Sequence, residues 1–330
     1  MVRTYLTLIM LVVLAAAVVG CGDGKQLQLD VQQALAKHTE MNNYRFHGSA
    51  DINIEQPEVD GSSNPLTAGL INMMTNSKIS WEGIASVAPI RMELLLSLTP
   101  HNSSQAINIP MLIQDNKMYL HIPAINEPEQ YYEINLDERN EMSGTNNPLS
   151  VDQLGDAGQL FSSISQEIVS SIDPKRFDDV TDKDSDLQSI IITLDQKHIE
   201  DAIDIWFTAM PNILSQLNEA GYIQAQMHES WEKHLTQANH RSWMERSNEF
   251  TLNQPISLLT RIDKDGYVRE SHLTVDITKS DAQTNAKTWS VDIVNRYDDI
   301  NQSPSFTQPI PTNIKPFSDI LKLMSPKETP

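Results

Sequence analysis

The stretch Tyr44–Gln56, YRFHGSADINIEQ, decides the fold. Tyr44, Phe46, Gly48, Ala50, Ile52 and Ile54 take alternate positions, and Arg45, His47, Ser49, Asp51, Asn53 and Glu55 fill the positions between them. A strand turns successive side chains to opposite faces. This alternation therefore gives one apolar and one wet face, which marks an antiparallel sheet rather than a doubly covered parallel one.

Upstream of that strand, Leu27, Val31, Ala34, Leu35, His38 and Met41 recur at helical spacing, and Asn42-Asn43 closes the helix. Downstream, PLTAGLINMMT is a short amphipathic stretch, followed by strands near 78–88, 90–99, 106–114, 117–123 and 130–136. Asp115-Asn116 supplies a two-residue turn within this meander. A polar loop over 137–149 leads to a helix with Leu154, Leu160, Phe161, Ile164, Ile168 and Ile172 on one stripe, ended by Asp173-Pro174.

After an acidic loop, LQSIIITLD reads as a strand and IEDAIDIWFTAMPNILSQLNEAGY as the most apolar helix, with Pro211 starting a new turn or kinking it. A wetter second helix is expected to run to about Ser247. The strands FTLNQPISLLTRI, YVRESHLTVDIT and KTWSVDIVNRY follow, the first two joined at Lys264-Asp265-Gly266, where Asp-Gly suits a tight turn. The Pro-rich end is expected to lie extended over the surface. About ten strands with helices grouped between them predict an α+β fold: one large curved antiparallel sheet, an incomplete β-barrel, covered on one face by helices.

The N-terminus addresses location. Leu6–Val19 is a run of about 14 apolar residues behind Arg3, shorter than the ~20 a membrane-spanning helix needs. Its flanks match a secretory signal. Val18-Val19-Gly20-Cys21 resembles the lipobox of bacterial lipoproteins, in which a diacylglycerol is attached to the Cys sulfur and the signal is cut just before it. The alternatives are an ordinary signal with an incidental Cys, or a buried thiol. On the lipobox reading, residues 1–20 are the leader, 21–26 a lipidated tether, 27–317 a single domain with a helical insertion at about 197–247, and 318–330 a tail. The protein would then sit on the extracytoplasmic face of the cytoplasmic membrane, held by acyl chains on Cys21. With one cysteine the chain forms no internal disulfide, so core packing must supply its stability.

The chain carries 24 Lys+Arg against 44 Asp+Glu, a net charge of −20. Such a surface disfavours nucleic acid, which needs basic stripes, and repels anionic headgroups.

Chemical motifs are sparse. Asp182, Asp184 and Asp186 have the spacing that opens a calcium loop, but Leu187 and Thr193 stand where that loop needs Gly and Glu. In HESWEKH, His228 and Glu229 begin a zinc-protease pattern, yet Glu232 holds the fifth position and His234 lies six residues on, off the shared helix face. His272 has no local nucleophile pattern, and neither phosphate- nor dinucleotide-binding loops occur. The expectation is a protein without catalysis, metal or cofactor. Met73, Met74, Trp206, Phe207, Met210, Ile213 and Leu214 either line a cavity between helices and sheet or fill an ordinary core.

Together, the lipobox, the amphipathic helix and YRFHGSADINI resemble the start of the LolA/LolB/LppX-type lipoprotein-carrier family. RIDKDGYVRESHLTVDI and VNRYDDINQSPSFTQPIP are similar to that family's final hairpin and ending, and closer still to lipoproteins of the Gram-positive, Bacillus and Paenibacillus kind. The resemblance spans most of residues 27–311. It implies a strongly curved, incomplete barrel closed by helices around a hydrophobic cavity, an acyl chain or lipid as ligand, and no catalytic residues. The long 197–247 segment departs from the family pattern. Two functions follow from these readings: an anchored lipoprotein that holds an apolar or amphiphilic ligand, or an envelope module that presents its acidic face to a protein or wall polymer.

Overall fold

The computed structural model describes residues 24–54, 76–123, 126–136, 151–220, 223, 225–280, 287–317 and 319. The leader, Cys21, Met73, Met74, the 137–149 loop and all of the 318–330 tail but Asp319 lie outside the described residues.

Thirteen strands form one sheet: β1 (Asn43–Ile54), β2 (Asn76–Val87), β3 (Ile90–Pro100), β4 (Ile107–Gln114), β5 (Lys117–Leu120), β6 (Tyr131–Asn135), β7 (Phe177–Asp179), β8 (Gln188–Leu194), β9 (Phe250–Leu252), β10 (Ile256–Ile262), β11 (Val268–Lys279), β12 (Lys287–Asp298) and β13 (Ile314–Pro316). Their spatial order is β13-β6-β5-β4-β3-β2-β1-β12-β11-β10-β8-β7, with β9 on β11. All pairings are antiparallel except β13 with β6, and the end strands β13 and β7 do not meet, so the curved sheet stays open.

β1 lies in the middle of this order, as its pattern requires. Its apolar residues continue across both neighbours, with Ala50 opposite Ile79 and Ile293, and Ile52 opposite Val291. Asp115 and Asn116 both have positive φ (54° and 60°), the left-handed pair a tight hairpin demands. Gly48 and Gly83 lie where a Cβ would collide with the Trp81 indole and the Phe46 ring respectively, so these two glycines let large aromatics cross the strands.

The apolar face carries the helices: α1 (Gly24–Ala36), α2 (Val151–Ser170), α3 (Ile199–Glu219), α4 (Ala225–Glu232) and α5 (Gln237–Glu245). Leu27, Val31 and Ala34 of α1 and Val169 of α2 pack with Ile190, Ile192, Ile262 and Val268 of the sheet. The α2 stripe differs from the periodicity reading. Ile168 is exposed, and the buried line runs through Ser162, Val169 and Ile172. α1 sets this rotation, because the buried Gln28 amide donates to the carbonyls of Val169 and Ile172 at 2.8 and 2.9 Å.

Two further boundaries are corrected. The wetter helix is two helices, because Lys233–Thr236 leaves helical geometry and the Thr236 hydroxyl caps Asn239 N–H. Residues 250–262 form two strands set end to end along β11, interrupted around Asn253–Pro255, where proline has no N–H for the ladder. Pro211 lies inside the continuous helix α3.

The opposite sheet face is also covered at β2–β5. Ile84, Glu93, Leu112 and Tyr119 stand opposite one another in register there and are all buried. The C-terminal segment crosses this row. The Glu93 carboxylate accepts the backbone N–H groups of Thr307 and Gln308 at 2.8–3.0 Å, and Arg91 pairs with Glu93 while its guanidinium lies over the Phe306 ring.

Candidate functional site

Where β9–β12 end beneath α3, α4 and α5, strand termini and three helices enclose an apolar groove of about 730 Å³. Its floor comes from Phe250 of β9, Ile256 of β10, Ile277 of β11 and Trp289 of β12. Register puts Leu252, Ile277 and Trp289 opposite one another in turn across β9, β11 and β12.

The first two turns of α3 form one wall, through Ile199, Ala202, Ile203, Trp206 and Phe207. Asp195 starts this segment by accepting the Lys197 N–H, and Glu200 and Asp201 in the first turn suit the helix dipole. Gln196 ties the wall to the floor: its amide donates to the Phe250 carbonyl (3.0 Å) and accepts from Leu252 N–H (2.6 Å).

The other wall comes from α4 and α5, with Trp231, His234, Leu235, Asn239 and Trp243. Trp243 stacks on Phe250 at 5.6 Å and meets Phe207 edge-on at 6.3 Å. Asp204 holds His240 at 2.7 Å, linking α3 to α5 beside the groove. The Asn239 amide donates to the carbonyls of Lys233 and His234, so it is committed to its own turn. Trp206, Trp231 and Trp243 stay 47%, 44% and 42% exposed around the mouth.

Of the residues singled out in the sequence, Trp206 and Phe207 lie on this groove. Met210, Ile213 and Leu214 lie farther along α3 and are not part of its lining. Ile213 and Leu214 are buried, while Met210 is half-buried. The sequence reading missed the α4–α5 wall and the strand-end floor. Trp231 and Trp243, large aromatics in a polar helical stretch, were the available signal.

A second cleft of about 620 Å³ runs between α1 and α2 and is lined by Gln32, Ala36, Thr39, Gln159, Ser162, Ser163, Gln166, Glu167 and Ser170. Much of its polarity is spent internally. Ser162 donates to the Leu35 carbonyl, Gln166 donates to Ser162, Thr39 donates to the Ala36 carbonyl, and Ser170 donates to the Glu167 carbonyl.

The remaining motifs resolve into local pairs. His228 and Glu232 approach to 3.8 Å, His272 bonds Asp292 at 2.8 Å across β11–β12, and Asp182 accepts the Asp184 N–H within a turn. Among the described residues, no three His, Cys, Asp or Glu side chains gather as a metal centre. The strongly shifted titrations lie away from the aromatic groove. Burial lowers His38 to about 4 and raises Tyr297 to about 12, and the two rings meet edge-on at 5.0 Å where α1 ends on β12. Burial would raise Asp263, but N–H donors from Tyr267 and Asp265 and the Arg269 guanidinium hold it below the usual carboxylate range and fix the Gly266 turn.

No family model and no curated protein matches the chain. Among solved structures it is similar to LprF from Mycobacterium bovis, at 8% identity and a TM-score of 0.32, covering 86% of this chain and 97% of that one. It is also similar to lipovitellin, in a structure described by its lipid–protein interactions, at 9% identity and a TM-score of 0.29, covering 87% of this chain and 29% of that one.

Proposed function

We propose that this protein is a non-enzymatic lipoprotein of the cell envelope, tethered to the extracytoplasmic face of the cytoplasmic membrane through acylated Cys21. It holds an apolar or amphiphilic, lipid-like ligand in the aromatic groove. The observation that carries the reading is the groove itself. Among the described residues, six tryptophan and phenylalanine rings and a set of aliphatic side chains line it, and His234 and Asn239 are the polar side chains of that lining. A volume of about 730 Å³ falls within the few hundred to about 1,000 Å³ of small-molecule sites. A polar substrate would lose its hydration there with little to replace it, whereas an acyl chain gains burial at about 25 cal/mol per Å². Among the described residues, the lining carries no carboxylate, hydroxyl or thiol. The open sheet with helices on its apolar face accords with the carrier-type resemblance.

Native mass spectrometry of the full lipidated chain, followed by lipid extraction, tests the reading. The expected result is a mass adduct beyond the anchor, released as an apolar small molecule. A bare chain that also binds no fluorescent fatty acid would contradict it. That outcome would favour an envelope interaction module, a role for which the three exposed tryptophans are the supporting feature. Metabolic palmitate labelling tests the anchor separately: Cys21→Ser should abolish the label.

A further inference from the structure

We propose that the mouth of the aromatic groove docks on the lipid bilayer that holds the anchor, with Trp206, Trp231 and Trp243 seated in its interfacial layer. This rests on the acylated-carrier reading and adds how the groove meets its ligand. Three observations point the same way.

The first is the rim. Single exposed aromatics are ordinary, but these three tryptophans come from three different helices and converge on one opening. Indole rings, apolar with one polar N–H, favour the membrane–water interface.

The second is the position of the anchor. Cys21 precedes Gly24 by three residues, a reach of about 10 Å at full extension. Gly24 abuts the Pro174 carbonyl so closely that a Cβ there would clash. Two residues on, Arg176 pairs with Asp201 at 2.9 Å in the first turn of α3, beside the groove residue Ala202. Trp206 follows Asp201 by about 7.5 Å of helix rise. The tether thus joins the body at Gly24, next to the segment that pairs with the first turn of α3.

The third is charge. The chain as a whole carries −20, which an anionic leaflet repels. Residues 225–246, which bear Trp231 and Trp243, instead balance Glu229, Glu232 and Glu245 against Lys233, Arg241 and Arg246. The α4–α5 part of the rim is thus neutral, while on the α3 side, which bears Trp206, Asp201 pairs with Arg176 and Asp204 with His240.

The test reconstitutes the full lipidated chain in phosphatidylcholine–phosphatidylglycerol vesicles, with and without bromine on the phosphatidylcholine acyl chains. Bromolipid should quench a large share of the tryptophan emission, since three of the five tryptophans stand at the rim. Trp231→Phe and Trp243→Phe should each remove part of the quenched emission, whereas Trp81→Phe should remove only unquenched emission. Equal emission in brominated and plain vesicles would overturn the proposal, whether the rim then meets another protein or a second copy. An Ala202→Phe variant, which fills the groove, should keep the quenching. If quenching vanished with it, the quencher would be a lipid bound in the groove, and docking would fail while the carrier reading stood. Quenching by a chain that yields no extractable lipid would do the opposite.

Discussion

Among the described residues, two clefts of similar volume have opposite character. The cleft between α1 and α2 is polar, several of its hydroxyls donate to backbone carbonyls and Gln166 donates to Ser162, and it lies against the main core. The groove beneath α3, α4 and α5 is apolar, walled by half-exposed rings and floored by strand ends. Size does not separate them. The first exposes groups already satisfied, so a guest gains little there. The second leaves apolar surface facing water, which is an unspent driving force for binding. Substitutions beneath the polar cleft should therefore cost stability, and substitutions around the aromatic groove should cost binding.

The largest expected effect is at Val31, only 1% exposed in the core under the polar cleft. Val31→Asp should destabilise the fold by more than about 3 kcal/mol in denaturant melts, because it buries an unpaired charge. Acid should act next. His38 is held neutral by burial, with its pKa near 4 against 6.5 unfolded, so the unfolded chain takes up the proton first. Stability should be complete above pH 6.5 and fall by at most about 3 kcal/mol as the pH drops to 4, since each pKa unit is worth about 1.4 kcal/mol. Melts across that range in wild type and His38→Phe should show the decline flattened in the variant. Gln28→Leu should cost about 2 kcal/mol, since two buried carbonyls lose their donor. Trp231→Ala should change stability by about 0.5 kcal/mol or less, yet weaken fluorescent fatty-acid binding. Loss of stability without loss of binding at Trp231 would break the contrast between the clefts.

The central sheet could be read from sequence because alternation is a local property: Tyr44–Ile54 carries its two faces within one strand, and the Asp115-Asn116 and Gly266 turns carry their backbone requirement in their residue types. The α2 stripe was misplaced because Val169 and Ile168 are equally apolar, and the Gln28 contact that chooses between them spans 141 residues. The clasp of Glu93 on Thr307 spans 214 residues and leaves no local trace. The groove was half legible. Trp206 and Phe207 follow from the apolarity of α3, but the floor exists only through the register that brings Leu252, Ile277 and Trp289 into line. Met210, Ile213 and Leu214, which the apolar stripe offered as either cavity lining or core, lie beyond the groove's lining, and Ile213 and Leu214 are buried.

The most direct test of ligand binding in the aromatic groove is a paired titration. Fluorescent fatty acid would be added to the wild-type chain, to Ala202→Phe, which fills the aromatic groove, and to Ser163→Phe, which obstructs the polar cleft. Probe affinity should fall by about tenfold or more in Ala202→Phe, the equivalent of roughly 1.4 kcal/mol, with the melting temperature unchanged, and should be unaltered in Ser163→Phe. Equal affinity in all three chains, or no binding by the wild type, would contradict the assignment of the groove as the ligand site.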